Sequence, residues 1–393
     1  MIDKISTFVN SNRQEIIKCL KLLVDQKGGS ENRTAVNKVG SILSDEILKL
    51  NFSLFTFEEE QFGNHLLFEN HNCDQAITLS GHMDTTFTSY LHLPDFHIEG
   101  EKAIGPGTGD MLGGLVVFLY AIKCLNHLGY LDKIPITLFF NTDEERGSPT
   151  SKPVFQDLIK KTAYTMISET AGANNEIVVG RRGKLSFDIL VKGREGHAGN
   201  FKGNKSSAVE EVAHKILAIE ALNGYWPGTD LNAGKVRGGI AGNTIAGESV
   251  LSTDIRYSCT EHEADIKAKI IEIVEKNYVQ GCFSELKITS ERPLWPLKKK
   301  GIGINLCSVV EKSAIELGQS FGTELRKGTS DANFFGAQGV DVIDGMGPIG
   351  FHDHTDQEYI LIDTLFERIR LCTLTLCKLE SALINASQSP QDR

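Results

Sequence analysis

Apolar positions recur at helical spacing over residues 5–24 and 32–50, so both stretches are predicted to be helices. Short apolar runs at 52–57, 66–69 and 76–80 predict strands. A helix over 112–128, a strand over 134–140, a helix after Ser151 and a strand over 164–168 follow. Strands alternating with helices imply an α/β sheet covered by helices on both faces. Near Gly180 the order changes to strand 185–191, helix 206–222, strands 233–240 and 249–257, helix 262–279 and strand 283–289. That βαββαβ order is the split-βαβ, ferredoxin-like pattern of a small two-layer domain. Beyond Arg292-Pro293-Leu294-Trp295-Pro296 the larger pattern resumes and ends in a helical stretch over 361–383. The expected organisation is a discontinuous α/β domain, residues 1–180 and 292–393, with residues 181–291 inserted as a second domain.

Composition narrows the class. A chain of 393 residues exceeds the usual single core, at roughly 150 residues per domain. With 40% hydrophobic and 23% charged residues it is not disordered overall. The longest apolar run, 115–122, is short beside the roughly 20 residues of a membrane-spanning helix, and residues 1–6 lack the start of a signal peptide. Against 41 Lys+Arg stand 51 Asp+Glu, a formal charge of -10, which argues against nucleic-acid or anionic-membrane partners. The basic run Lys298-Lys299-Lys300 reads as a solvated loop, and the tail from Gln388 as frayed. The 8 Cys are scattered with no CxxC pair, as in a reduced cytoplasmic protein.

Four acidic or imidazole-bearing segments follow strands in the first domain, where ligands of open α/β sheets bind. In Ser80-Gly81-His82-Met83-Asp84, residues two apart face one side, so Asp84 can accept from one ring nitrogen of His82 and leave the other for a metal. Alternatively the two form a surface pair. The loop 105–114 delivers Asp110 at a helix start, as a ligand or as an N-cap, and its glycines match no P-loop. Asp143-Glu144-Glu145 are three adjacent acids that repel unless a cation or proton intervenes; one can ligate while its neighbour serves as general base. Glu169 follows the next strand. Near the C-terminus His352 and His354 follow a Gly-rich turn. Two His and three carboxylates suffice for two metal ions, and a set without Cys suits zinc, cobalt or manganese.

These segments resemble the di-zinc metallopeptidases that include glutamate carboxypeptidase, aminoacylase, succinyl-diaminopimelate desuccinylase and acetylornithine deacetylase. The resemblance rests on SGHMDTTF (80–87), GPGTGDMLGG (105–114), NTDEERGSPTS (141–151), SET (168–170), GRRGK (180–184), GHAG (196–199) and HTDQEY (354–359), in the family's order across nearly the whole chain. It implies a zinc-exopeptidase-like catalytic domain with a mixed sheet. Of the metal ligands, His82 and Glu169 would hold one zinc, Glu145 and His354 the other, and Asp110 both. Asp84 would orient His82, and Glu144 would be the general base. His354 is preferred over His352 because the family places a Glu four residues on, where Glu358 stands. The inserted domain resembles the family's lid and dimer interface. There His197 would stabilise the developing oxyanion, Asn243 would contact substrate, and Arg256 would clamp a substrate carboxylate or pair with Asp254 or Glu261. Gly328 would offer backbone to the substrate. DEERGSPTSKPVF, GTSDANFF and GMGPIG look most like the glutamate carboxypeptidase branch. Leu112 stands where relatives usually carry Lys, and Thr88 where Pro is common; the first change alters the expected pocket electrostatics.

The resemblance therefore implies a two-zinc hydrolase, with cobalt or manganese as substitutes, cleaving an amide beside a free-carboxylate amino acid. An N-acyl-amino-acid deacylase or dipeptidase is the alternative within the family, and a non-catalytic metal-binding dimer the alternative outside it. A homodimer through the lid is expected, acting on a small peptide or N-acyl amino acid.

Overall fold

The computed structural model describes residues 1–296 and 305–387, with side chains through residue 380. The Lys298-Lys299-Lys300 run and the tail from Gln388 lie outside the described residues. The chain forms two compact units, one from Arg181–Pro296 with Lys327–Thr329, called the second unit below, and the other, the first unit, from the remaining residues on either side.

A six-stranded mixed sheet organises the first unit, in the spatial order Ser53–Phe57, His65–Glu69, Ile136–Asn141, Ala76–His82, Thr162–Ile167, Asp341–Ile343. The last four strands are parallel and the first two pair antiparallel. Ala76–His82 and Ile136–Asn141 are buried along their whole length, as strands covered on both faces must be. Their carboxyl ends, His82 and Asn141, stand opposite each other in the register. Two motif loops therefore leave the sheet side by side.

The first helical stretch differs from expectation. It breaks at Asn12 into Ile2–Ser11 and Arg13–Val24, because the Asn12 amide donates to the Phe8 carbonyl at 2.7 Å and competes with the backbone ladder. Asn32 caps the helix Arg33–Ile47, accepting from the Ala35 amide at 3.2 Å. The central helix Gly113–His127 continues from a π-turn over Thr108–Leu112. Together they are long and apolar enough to cross a membrane by composition, with mean hydropathy 1.5, more than the run 115–122 suggested. However, 89% of that window is buried inside the protein, packed on Ala76–His82 and Ile362–Ser387. Leu112 is buried in this core.

A small antiparallel sheet went unpredicted: Gly350–Phe351, Tyr359–Leu361, Lys102–Ile104 and His97–Glu99. Strands of two or three residues leave no periodicity to read. This sheet fixes the 352–358 loop against the 105–114 loop.

The second unit holds an antiparallel sheet in the order Asp230–Gly238, Glu248–Tyr257, Gly183–Lys192, Phe283–Arg292. Alternate residues Leu185, Phe187, Ile189 and Val191, with Leu251, Ile255 and Tyr257, are buried beneath Val212 and Ile219 of Ala208–Glu220 and Ile266 and Ile270 of Thr260–Glu275. A fully buried ion pair within Ala208–Glu220 ties that helix to the C-terminal end of Thr260–Glu275. Lys215 Nζ meets Glu211 Oε1 at 3.0 Å and donates to the carbonyls of Ile273, Val274 and Lys276 at 2.9–3.0 Å. Glu211 accepts from the Tyr278 and Val279 amides.

Candidate active site

Asp110 is the centre of the site. The glycines around it are required by close approach: a Cβ at Gly114 would collide with the Ser168 carbonyl oxygen, so only glycine brings this helix start against the strand end that carries Glu169. Glu358, almost fully buried, accepts from the amides of Gly107, Gly109 and Asp110 at 2.7, 2.9 and 3.0 Å. Burial pushes Glu358 up to about 8, against those three donors. The Glu four residues after His354 thus serves the Asp110 loop.

The two Asp110 oxygens face two imidazoles: His82 Nε2 lies 3.0 Å from Oδ1, and His354 Nε2 lies 2.9 Å from Oδ2. Glu169 Oε1 is 3.7 Å from His82 Nε2, and Glu145 Oε2 is 3.3 Å from His354 Nε2. Two trios result, His82–Asp110–Glu169 and Asp110–Glu145–His354, each with its donor atoms within 4.8 Å of one another. Glu145 Oε1 is buried and has no hydrogen-bond partner. Burial and then the Asp110 carboxylate push Glu169 up to about 7 and raise Glu145 as well. Burial also opposes ionisation of Asp110, yet hydrogen bonds from His354 and His82 hold it far below the usual carboxylate range. His354 is pushed up to about 11 by its bonds to Asp110 and Glu145. Such crowding of like charges is what a bound cation relieves.

Asp84 differs from the sequence reading. The second His82 nitrogen, Nδ1, lies 2.8 Å from the Asp84 backbone carbonyl, with the carboxylate 3.5 Å away. The reason is that the chain leaves strand geometry after His82, so the two-residue alternation no longer aims the carboxylate at the ring. Asp84 Oδ2 instead accepts from Ser30 Oγ at 2.7 Å and from the Glu145 amide at 3.4 Å, joining the histidine loop to the acidic loop.

The three adjacent acids do not share one environment. Buried Asp143 accepts from the amide and hydroxyl of both Thr150 and Ser151 at 2.6–3.0 Å, which meets its charge without a cation. Glu144 and Glu145 stand on the following 3-10 turn, Glu144–Arg146. Asp331 lies beneath this turn, accepting from Asn141 Nδ2 at 2.7 Å and Ser148 Oγ at 2.6 Å. Ser30, Asn141, Ser148 and Asp331 were not singled out from sequence; the last three lie as short polar residues inside quoted motifs, and Ser30 carried no signal.

The paired histidines separate. Both have left-handed backbone, at φ 61 and 65°, which turns their side chains apart. His354 joins the second trio, whereas the His352 ring tilts onto Tyr359 at 5.9 Å.

Within the second unit, Gly196–His197 pairs with Thr244–Ile245, and the Ala198 amide donates to the Asn243 carbonyl at 2.9 Å. His197 and Asn243 are thereby neighbours and exposed. Arg256 Nε donates to Asp254 at 2.7 Å, one of the two lid ion pairs open in sequence. The Gly328 carbonyl accepts from Arg181 Nη1 at 3.2 Å.

Two histidine–carboxylate trios joined by one aspartate, at the carboxyl ends of a mixed α/β sheet, form a donor set that could hold two metal ions. The comparisons agree. The peptidase dimerisation domain matches residues 179–282, and peptidase family M28 matches residues 66–218. Carboxypeptidase G2 of Pseudomonas sp. (strain RS-16) is 27% identical over 364 residues, covering 90% of this chain and 86% of that protein. Succinyl-diaminopimelate desuccinylase of Marinobacter nauticus is 27% identical over 340 residues, 80% of this chain and 87% of the relative. Among solved structures, an M20 family metallo-carboxypeptidase of Sulfolobus solfataricus has the same fold, with TM-score 0.74 at 15% identity over 92% of this chain and 98% of that one. Over most of its length the chain is similar to metallopeptidases and amidohydrolases of the M20 type, and it is a hydrolytic enzyme.

Proposed function

We propose that this enzyme is a two-zinc exopeptidase that cleaves the amide beside an amino acid with a free carboxylate, in the manner of a glutamate carboxypeptidase. The observation that carries the metal reading is Asp110, whose two oxygens each face a histidine and a further carboxylate. His82, Asp110 and Glu169 would hold one ion, and Asp110, Glu145 and His354 the other. The donor set fits: imidazoles and carboxylates without thiolates suit zinc, with cobalt or manganese as substitutes, and the unpartnered Glu145 Oε1 leaves a lone pair for a ligand role. When bound, the pair of ions polarises the scissile carbonyl and lowers the pKa of the attacking water.

The rest falls to the chain's own side chains. Glu144 accepts the water's proton and returns it to the leaving nitrogen. Asp84 holds His82 through its carbonyl and the Glu145 backbone through its carboxylate. His197 donates to the developing oxyanion, Asn243 and Gly328 contact the substrate, and Arg256 exchanges Asp254 for the substrate carboxylate. The matched dimerisation domain supports a homodimer through the second unit, and the scattered reduced cysteines support a cytoplasmic enzyme.

A panel of dipeptides and N-acyl amino acids, each as free acid and methyl ester, tests the specificity. Glutamate-terminated acids should be hydrolysed best and their esters at least about tenfold more slowly, the loss of a charge-assisted hydrogen bond. Equal rates for acid and ester would overturn the carboxylate reading. The relationship to succinyl-diaminopimelate desuccinylase favours a second reading, an N-acyl-amino-acid deacylase, which the same panel separates. The non-catalytic alternative is not retained. For the ligands, His354→Ala should lower the bound metal from two ions per chain to about one, and His352→Ala should leave it unchanged. Elemental analysis of the two variants distinguishes them, and the reverse pattern would reassign the site.

A further inference from the structure

Asp331 occupies the N-cap position of the helix Ala332–Ala337, where an aspartate ordinarily caps through its side chain. It makes no such cap; Ser330 Oγ accepts from the Ala332 amide instead, at 3.2 Å. The Asp331 carboxylate, almost fully buried, is directed at the acidic turn. Its Oδ2 accepts from Asn141 Nδ2 at 2.7 Å and its Oδ1 from Ser148 Oγ at 2.6 Å. These two residues bracket the turn. Asn141 ends the strand before it, opposite His82 in the register, and its carbonyl accepts from the Met83 amide at 2.8 Å. Ser148 closes the turn, its amide donating to the Asp143 carbonyl at 2.8 Å, with its backbone in the left-handed region at φ 56°. A serine gains nothing from that conformation by itself, so its hydroxyl bond to Asp331 helps to hold it. Asp331 is held in turn: Ser330 Oγ donates to buried Asp344 at 2.7 Å, and the Ser330 amide donates to Asn333 at 3.0 Å.

We propose that Asp331 is a positioning residue for the general base: it clamps both ends of the turn that carries Glu144 and so fixes the position of that carboxylate. The inference rests on the proposed role of Glu144. It goes beyond it by assigning the base's precision to a residue that is neither ligand nor base. A general base displaced by a fraction of an ångström loses rate without losing substrate or metal.

Asp331→Asn, nearly isosteric, turns an amide donor toward one of two donors and breaks one side of the clamp. Steady-state kinetics on any dipeptide or N-acyl amino acid that the enzyme hydrolyses should give a kcat lowered at least about tenfold, with KM within about twofold and metal at the wild-type level. Ser148→Ala should fall in the same direction. The double variant should be no slower than the slower single variant, because both changes open one clamp. Wild-type kcat in Asp331→Asn, loss of metal in step with activity, or multiplicative losses in the double variant would each overturn the proposal. Glu144→Gln is assayed alongside. If it keeps turnover, the base assignment itself fails; if it is inactive while Asp331→Asn is unaffected, only the clamp fails.

Discussion

Glu144→Gln is expected to lower kcat by about 10²–10⁴-fold, the range for loss of a general base, while two metal ions per chain remain bound. The substitution keeps the shape of the side chain and removes only its capacity to take a proton. The proposed ligand atoms belong to other residues, His82, Asp110, Glu145, Glu169 and His354, which converge without Glu144. KM should change little, because the proton is in flight only in the transition state. Steady-state kinetics and elemental analysis on one preparation check this. Metal lost together with activity would make Glu144 a ligand and require a different base.

Lys215→Met is expected to destabilise the second unit by about 3–5 kcal/mol, as when one partner of a buried ion pair is removed. Lys215 and Glu211 are both fully buried on Ala208–Glu220. The ammonium also satisfies three carbonyls at the end of Thr260–Glu275, groups that have no partner inside their own helix. Methionine fills the volume but leaves Glu211 as an uncompensated buried charge and the carbonyls unmet. Adding Glu211→Gln should recover part of the loss, since the charge is then gone. Thermal and denaturant unfolding of the single and double variants measure this. A Lys215→Met protein as stable as the wild type would mean that water reaches the pair.

Much of the fold was legible because its strands and helices are long and periodic. The βαββαβ order of the second unit followed from alternation such as Leu185, Phe187, Ile189 and Val191. The helix break at Asn12 was not legible, since one side-chain amide decides it and the apolar spacing runs through unchanged. The strands of two or three residues flanking the site are too short to carry a period. Among site residues, His82, Glu145 and Glu169 stood out as imidazole or acid placed after apolar strands and Asp110 as an acid in a Gly-rich loop, whereas the choice of His354 over His352 came from the family resemblance. The supports did not stand out. Ser30, Asn141, Ser148 and Asp331 are ordinary turn and cap residues in sequence, and only their burial against the acidic loop gives them a role. Asp84 meets the His82 ring with two groups, its carbonyl at 2.8 Å and its carboxylate at 3.5 Å, and only the second was expected.

The central claim is that Asp110 joins two metal sites on which hydrolysis depends. The direct measurement is a titration of the chelator-treated enzyme with zinc, following bound metal by elemental analysis and turnover of a glutamate-terminated dipeptide in the same samples. Turnover should be absent without metal and reach its full value as occupancy approaches two ions per chain. Asp110→Asn should bind less metal and stay inactive. Full turnover by a metal-free enzyme, or a wild-type metal content in an active Asp110→Asn, would contradict the account.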